Sequence, residues 1–123
     1  MENDVVLSVI NDKYIFHNSE DDEGYYVIIM ERTGLAVARV YQYKDDLSSI
    51  YLDSLSVNNV IRKHGIGTEL QEMREKIGIL SGATRSFLAV KIDSWMHEWY
   101  KRRGYTNYQK HNDPQLIWMY KIL

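Results

Sequence analysis

Two glycines stand close together in the stretch Arg62-Lys63-His64-Gly65-Ile66-Gly67-Thr68, directly before a segment with helical periodicity. Because glycine has no side chain, Gly65 and Gly67 would let backbone N–H groups approach an anion closely. The positive end of a helix dipole would add to the attraction. The pattern therefore predicts a phosphate-binding turn at a helix N-terminus. A Gly-x-Gly pair is also common before helices that bind no ligand, so the pair alone does not decide the chemistry.

The neighbouring residues exclude the commonest nucleotide-binding loops and a metal centre. No Gly-x-x-x-x-Gly-Lys-Ser/Thr run occurs, so a Walker loop for ATP is not predicted. Leu70 stands where a dinucleotide fingerprint has its third glycine, which disfavours NAD. His97 and Glu98 suggest metal ligands, but no second histidine follows at i+4, and His17 and His111 fall in unrelated turns. We expect no metal site.

The elements that position this turn follow from the apolar patterning. The residues Ile66, Leu70, Met73 and Ile77 form one helical stripe, which Gly78 and the Ser81-Gly82 pair are expected to end. A second helix is predicted from an Asp93-Ser94 cap to Arg103, with Gly104 at its C′ position. The acidic run 18–24 reads as a loop. Strands are predicted at 5–10, 14–17, 25–31, 35–43, 50–57, 85–91, 105–108 and 115–122.

This order of elements predicts one mixed α/β sheet packed with helices. The strand–helix–strand unit over residues 50–91 should be a right-handed crossover between parallel strands. Ligands of such sheets bind at the carboxyl ends of the strands, where neighbouring strands part. The site is therefore expected near Val57 and Lys91.

Composition limits the domain count and the partners. A chain of 123 residues with 45% hydrophobic content fits a single domain, residues 1–123. The net charge of −2 gives no global attraction to nucleic acid or to an anionic membrane, so neither is an expected partner. The absence of cysteine excludes disulfides and fits a reducing compartment. The N-terminus lacks the positive region of a secretion signal, and we expect a cytoplasmic protein.

Two motifs resemble those of the GNAT superfamily of acetyl-CoA-dependent N-acetyltransferases. The first is Leu55-x-Val57 followed by Arg62-x-x-Gly65-x-Gly67, which is similar to an apolar strand end leading into Arg/Gln-x-x-Gly-x-Gly/Ala. The second is Tyr100-Lys101-Arg102-Arg103-Gly104-Tyr105, which resembles the Tyr-x-x-x-Gly-Phe/Tyr that closes the next helix. Two motifs in the family order are much stronger than one, and the resemblance covers roughly residues 50–123.

The resemblance implies a fold and a cofactor site. The GNAT fold has a mixed, mostly antiparallel sheet whose central parallel pair splays around CoA, with two main helices. Backbone groups of Leu55, Ser56 and Val57 would pair with the pantetheine amides of acetyl-CoA. The pyrophosphate would be held by N–H groups over residues 63–68, with added charge from Arg62 and Lys63. The resemblance thus assigns to the cofactor Arg62, Lys63, His64, Gly65, Ile66, Gly67 and Thr68.

The resemblance also implies catalytic roles. Tyr100 matches the tyrosine that protonates the CoA sulfur. Asp53 is the only acid on the strand 50–57, which precedes the predicted phosphate turn, and it is the candidate general base. An exposed carboxylate, or one with a structural hydrogen bond, is about as good an interpretation. Asp93 occupies the place of a family asparagine that contacts pantetheine, but an ionised carboxylate cannot donate, so helix capping is the alternative.

One departure from the family concerns the acceptor side. The family places two helices between its first and second strands, yet residues 11–24 contain no amphipathic stretch. An acceptor pocket without these walls is expected to lie open to a large amine substrate or to be completed by a homodimer partner. The first hypothesis for the whole chain is an enzyme that transfers the acetyl group of acetyl-CoA to a primary amine in a small molecule, a peptide or a protein. The second hypothesis is a GNAT-fold module that binds CoA or a protein without catalysis. The dimer is favoured because the sequence has more aromatic rings than a core of this size readily buries, and interfaces are enriched in such rings. The rings concerned are Tyr25, Tyr26, Tyr41, Tyr43, Trp95, Trp99 and Trp118.

Overall fold

The computed structural model describes residues 12–123. The strand expected at 5–10 lies outside these residues. The described part forms the elements β1 (Tyr14–Glu20), β2 (Gly24–Glu31), β3 (Ala36–Tyr43), β4 (Ser49–Val57), α1 (Ile66–Leu80), β5 (Arg85–Lys91), α2 (Trp95–Arg102), β6 (Thr106–Lys110) and β7 (Leu116–Ile122), with a short 3-10 turn at Asn59–Ile61 before α1.

All seven strands belong to one sheet, in the order β1-β2-β3-β4-β5-β7-β6. Every neighbouring pair is antiparallel except β4 and β5, which run parallel and are joined through α1. Parallel neighbours need such a crossover because a tight hairpin cannot return the chain in the same direction. The predicted mixed sheet with one central parallel pair and two main helices is confirmed.

The hydrophobic core lies on the face of the sheet that both helices cover. Alternate residues of β3 are buried, as a half-covered strand requires. The helices also contact each other, because Arg74 of α1 donates to the Tyr100 hydroxyl of α2 at 2.9 Å, and Arg103, directly after α2, donates to Thr68 Oγ1 of α1 at 2.9 Å. The fully buried apolar side chains include Val27, Ile29, Ala38, Val40, Ile50, Leu70, Ile77 and Met119.

The opposite face of the sheet carries a continuous row of aromatic rings, which we call the aromatic face. Neighbouring rings contact each other across the strands at centroid distances of 4.9 to 6.5 Å. The turn between β1 and β2 has only three residues, so no helix is inserted there to cover this face. The aromatic face consists of Tyr26, Tyr41, Tyr43, Tyr51, Phe87, Tyr108, Trp118 and Tyr120.

Two boundary predictions were wrong. The acidic run is not all loop, because β1 continues to Glu20 and pairs through Asn18 and Ser19 with β2. Polar side chains are tolerated there since β1 is the edge strand of the described sheet. Gly78 does not end α1 but lies buried inside it, against the side chain of Ile50.

Two further observations concern the helices. Trp99 is buried, whereas Trp95 is largely exposed and stacks on Trp99 with a centroid distance of 6.4 Å. Over residues 12–123 no helix is both long enough and apolar enough to cross a membrane.

The close approach of α1 to β4 at Gly78 gives a first prediction. A Cβ at residue 78 would lie 2.5 Å from Ile50 Cδ1 and 3.2 Å from Ile50 Cγ1. Overpacking of this kind typically costs about 1–3 kcal/mol, which exceeds the ~1 kcal/mol by which alanine favours a helix. Gly78→Ala should therefore lower the free energy of unfolding, measured by chemical denaturation.

The matched control removes the atom that clashes. Ile50→Val deletes Cδ1, so the double variant should lose less stability than the sum of the two single variants. Additive losses, or a Gly78→Ala variant more stable than the wild type, would contradict this account of the contact.

Candidate functional site

The two central strands part along their length. Strands β4 and β5 pair over only four positions, Ser49–Leu52 with Arg85–Leu88, although both continue beyond them. On the other side of β4, Arg39 pairs with Ser54 while Val40 pairs with Leu52, so Asp53 is an extra residue in β4. This is a β-bulge, which bends a strand and interrupts its ladder. The parting begins at this bulge.

The parted strands line a cleft of about 310 Å³. One wall is residues 52–55 of β4 and the other is residues 88–91 of β5, with α2 closing the floor. From α2 and the turn before it come Ser94, Met96 and Tyr100. Asp53, Leu55 and Tyr100 from the predicted site set are thus brought together around one cavity, as the splayed pair was expected to do.

The chain from β4 to α1 turns sharply at the residues that the sequence analysis predicts to bind phosphate. Lys63 and Gly65 both have left-handed backbone, with φ of 71° and 79°, and Gly65 is the N-cap without any side-chain cap. Within residues 12–123, no hydrogen-bond acceptor is found for the N–H groups of residues 63–68. Unpaired N–H groups at the positive end of a helix are a ready anion site. The local geometry therefore leaves room for an anion, and phosphate binding at this turn stays a prediction.

Two arginine side chains, those of Arg62 and Arg103, lie at or beside this turn. The Arg62 Nε donates to the Val57 carbonyl at 3.0 Å, so this arginine is tied to the end of β4. The Arg103 guanidinium lies 3.6 Å above the Trp99 ring and donates to Thr68 Oγ1 in the first turn of α1. Burial lowers the pKa of Arg103. Sequence reasoning missed Arg103, although its position three residues after Tyr100 places both on one side of α2.

The other residues of the predicted cofactor set differ in exposure. Lys63 and His64 are exposed at the turn, whereas Ile66 is buried in the core. Ser56 is exposed on β4 and pairs with Val37 of β3, and it does not line the cleft.

Tyr100 lies between the cleft and the core. Its side chain is 4% exposed, and its hydroxyl oxygen accepts a hydrogen bond from Arg74 Nη2 at 2.9 Å. Arginine is a donor only, so the Tyr100 proton is left free to donate, and no acceptor for it is found in the described part of the chain. Tyr100 therefore has a donor available where the cleft passes it.

Tyr105, the second tyrosine of the motif, is different. Its hydroxyl contacts Ser86 Oγ at 2.7 Å, Gln71 Nε2 at 3.0 Å and Glu75 Oε2 at 3.2 Å. Burial raises the pKa of Tyr105. Because its hydrogen bonds are satisfied inside the core, Tyr105 has the contacts of a structural residue.

Asp53 is the bulged residue and its carboxylate is half-exposed. Asp53 Oδ2 lies 3.3 Å from Arg39 Nε, and the Arg39 guanidinium also lies 4.6 Å from the centre of the Tyr26 ring. The carboxylate thus stands where the cleft meets the aromatic face. Sequence reasoning placed Asp53 on the strand but did not find Arg39 as its neighbour.

Asp93 is not the helix cap. Ser94 is the N-cap of α2, and its Oγ accepts from the His97 backbone N–H at 3.1 Å. Asp93 has left-handed backbone, with φ of 59°, and its N–H donates to His97 Nδ1 at 2.9 Å. The other ring nitrogen of His97 lies 2.8 Å from Asn107 Oδ1. His97 therefore holds a turn together, and no group of potential metal ligands occurs in residues 12–123.

Comparisons with known proteins agree with this geometry. Residues 4–105 match the family model described as acetyltransferase (GNAT) family. No curated protein sequence matches the chain.

Among solved structures, a Klebsiella pneumoniae protein assigned as an acyl-CoA N-acyltransferase is similar at TM-score 0.71 and 13% identity, covering 92% of this chain and 99% of its own. A GNAT acetyltransferase from Elizabethkingia anophelis, with acetyl-CoA bound, has TM-score 0.67 and 12% identity, with coverage of 92% and 100%. The PaiA N-acetyltransferase from Thermoplasma acidophilum, in complex with coenzyme A, has TM-score 0.67 and 14% identity, with coverage of 82% and 62%.

The structures below 25% identity establish the fold, and the family model spans most of the sequence. Together with the parted central strands and the uncapped helix start, they lead to one conclusion: the chain belongs to the GNAT family of acetyltransferases.

Proposed function

We propose that this protein is an N-acetyltransferase that transfers the acetyl group of acetyl-CoA to a primary amine by direct attack. The observation that carries the proposal is that the cleft between β4 and β5 occurs together with unpaired N–H groups before α1, where Gly67 adjoins Val57 at the end of β4. A CoA molecule needs a slot for its pantetheine arm and an anion site for its pyrophosphate. The chain offers both.

The proposed cofactor contacts are mostly to backbone. The pyrophosphate would accept hydrogen bonds from N–H groups of residues 63–68, and Arg103 beside Thr68 adds positive charge. The pantetheine amides would pair with free backbone groups of β4 near Leu55. The carbonyl of Val57 already accepts from Arg62, so a ligand amide there would compete with that arginine. Asp93, exposed at the end of β5, is at most a peripheral contact.

The proposed reaction needs three groups. The amine nitrogen forms a bond to the acetyl carbon while the carbon–sulfur bond breaks, and the sulfur takes a proton as free CoA leaves. A backbone N–H at the β4 bulge would polarise the carbonyl. Tyr100, with its unused donor beside the cleft, would give the proton to the sulfur.

The attacking amine must also lose a proton. Asp53 is proposed as the base that receives it, directly or through water, because its carboxylate lies at the mouth of the cleft. The ion pair with Arg39 competes with this role, since it engages one of the carboxylate oxygens. An exposed, purely electrostatic Asp53 is the alternative.

Exposed rings of the aromatic face lie beside the part of the cleft where the acceptor amine would bind. Tyr43 and Tyr108 of the aromatic face are 38% and 53% exposed, and the face borders the cleft at Asp53. Aromatic side chains are enriched in protein interfaces. We propose that two copies associate through the aromatic face, so that each copy helps to wall the acceptor pocket of the other.

A second candidate function is a CoA-binding or protein-interaction module without catalysis. The observation that favours it is the direct β1–β2 turn, which leaves the acceptor side without helical walls from that connection within residues 12–123. Binding of acetyl-CoA without acetyl transfer to any amine in a broad panel would support this module over the enzyme.

Acetyl-CoA should raise the melting temperature, because it binds the native state only. At a concentration 100-fold above its Kd the gain is about 2.7 kcal/mol. Gly65→Asp should abolish the rise, since a carboxylate at the N-cap would bond the N–H groups and repel the pyrophosphate. Thermal unfolding with and without acetyl-CoA measures both effects.

A control at Gly34 separates backbone strain from the loss of the anion site. Gly34 and Gly65 have φ of 80° and 79°, and a Cβ at either position meets nothing within 4 Å. Gly34→Asp should therefore introduce the same left-handed backbone strain but, because Gly34 lies outside the predicted anion site, keep the rise. Absence of any rise for the wild type at millimolar acetyl-CoA would refute the CoA site.

Tyr100→Phe should lower kcat by about 10²-fold or more, as loss of a general acid does, while the Kd for acetyl-CoA stays nearly unchanged. The readout is thiol release in the presence of amines, with Kd from calorimetry. Tyr105→Phe is the matched control, because it removes a buried hydroxyl of the same motif that faces the core.

Tyr105→Phe should lose stability and keep its turnover. Equal turnover in Tyr100→Phe and the wild type would remove Tyr100 from the mechanism. The same assay with Asp53→Asn over a range of pH decides between a base and an electrostatic carboxylate. Loss of a base should be offset at high pH, where the amine is already neutral, whereas loss of an electrostatic carboxylate should lower turnover by a similar factor at every pH.

Light scattering at working concentration should give the mass of a dimer. Tyr108→Lys places a charge on the aromatic face and should shift the protein towards monomer. Ile79→Lys is the control, because Ile79 is 54% exposed, like Tyr108, but lies on α1 on the other side of the sheet. A wild-type monomer, or equal dissociation by both variants, would defeat the proposed interface.

A further inference from the structure

Arg74 of α1 is the largest fully buried side chain of the described residues, with an exposed fraction of 0%. Its Nη1 donates to the backbone carbonyls of Ser54 at 2.9 Å and of Arg39 at 3.3 Å. Arg39 and Ser54 are the paired residues on one side of the β4 bulge. One end of the guanidinium is therefore fixed to the backbone beside the bulge.

The other end of the same guanidinium is fixed to the catalytic candidate on α2. Arg74 Nη2 donates to the Tyr100 hydroxyl at 2.9 Å and to Gln71 Oε1 at 2.5 Å. The guanidinium is planar and rigid, so its two ends keep a fixed separation and orientation. The distance between the bulge and the Tyr100 oxygen is thereby set by one side chain.

The burial of the Arg74 cation does not favour folding stability by itself. None of the ion pairs found in the described part of the chain includes Arg74, and its Nε has no hydrogen-bond partner there. A buried cation without a carboxylate loses hydration that neutral acceptors restore only in part. An apolar side chain of similar size would fill the same space without that loss, so packing does not account for an arginine here.

We propose that Arg74 is a positioning residue for acetyl transfer, holding the Tyr100 hydroxyl in register with the β4 bulge. This inference rests on the proposed function. The groups meant to act on the thioester carbonyl and on its sulfur lie on different elements. Arg74 bonds to the backbone carbonyls beside the bulge that carries the first group and directly to the hydroxyl that is the second. Because Arg74 can only donate, the Tyr100 oxygen must accept, which keeps the Tyr100 proton for the sulfur.

The first test is Arg74→Lys, which keeps the charge but loses the fork that reaches both partners. Misplacement of a catalytic group by about 1 Å costs on the order of 10²-fold, so kcat should fall about 10- to 100-fold. The KM and the Kd for acetyl-CoA should stay within about threefold, because the hydrogen bonds of Arg74 go to Arg39, Ser54, Gln71 and Tyr100 and to none of residues 63–68. An equal fall in binding and in turnover would indicate a merely structural role and overturn the inference.

The second test is a double-mutant cycle with Tyr100→Phe. If Arg74 acts through the Tyr100 hydroxyl, Arg74→Lys should change kcat by no more than about twofold in the Tyr100→Phe background. If the two substitutions instead act independently, so that their fold-changes in kcat multiply in the double variant, the inference is overturned. A wild type that neither binds acetyl-CoA nor acetylates an amine would overturn the proposed function and this inference together. An active wild type with independent effects would overturn only the role of Arg74.

A crystal structure of the wild type with CoA decides the question if Arg74→Lys does not fold. The expected complex keeps the bonds from Arg74 to Ser54 and Tyr100 and places the CoA sulfur within hydrogen-bond reach of the Tyr100 hydroxyl. A complex in which the sulfur lies elsewhere, or in which Arg74 releases either partner, would overturn the inference.

Discussion

Beyond Leu52 and Leu88, the two central strands of the sheet no longer exchange hydrogen bonds. Backbone polar groups inside a protein need partners, so the facing edges of β4 and β5 are the part of this sheet that can accept an extended ligand. The bulge at Asp53 marks where the edges separate, and α1 begins shortly after β4 ends. The slot between the strands therefore follows from the early end of the β4–β5 ladder, and the candidate anion site follows from the uncapped start of α1.

Helix α1 serves this site along its whole length. Its first turn presents the unpaired N–H groups, and its middle carries Arg74 under the bulge. Gly78 follows Arg74 by four residues and so lies on the same side of the helix, where its lack of a side chain lets α1 approach Ile50. That close approach is what allows a side chain of α1 to reach two carbonyls of the sheet. Packing and the candidate chemistry are thus coupled through a single helix.

The sequence predicted the features that depend on local residues. The turn around Gly65 and the order of the elements after β1 needed only short-range patterns. The contacts of Arg74 could not be predicted, because they join α1 to residues far away in the chain and because a helical arginine is usually exposed. One signal was present, since Arg74 falls four residues after Leu70 and three before Ile77, on the edge of the apolar stripe. The prediction of a loop over the acidic run 18–24 was wrong, because composition does not reveal that part of this run lies in an edge strand, where polar residues are tolerated.

The strand order also has a consequence for how the chain folds. Strands β1–β4 form one antiparallel unit built from neighbouring segments, and β5–β7 form another. Only the short parallel ladder joins the two units across the sheet, and its strands are separated in sequence by all of α1. Contacts between distant segments form late because their loop-closure entropy must be overcome first. We expect the two units to dock last, so the slot between them comes into existence only in the final step of folding.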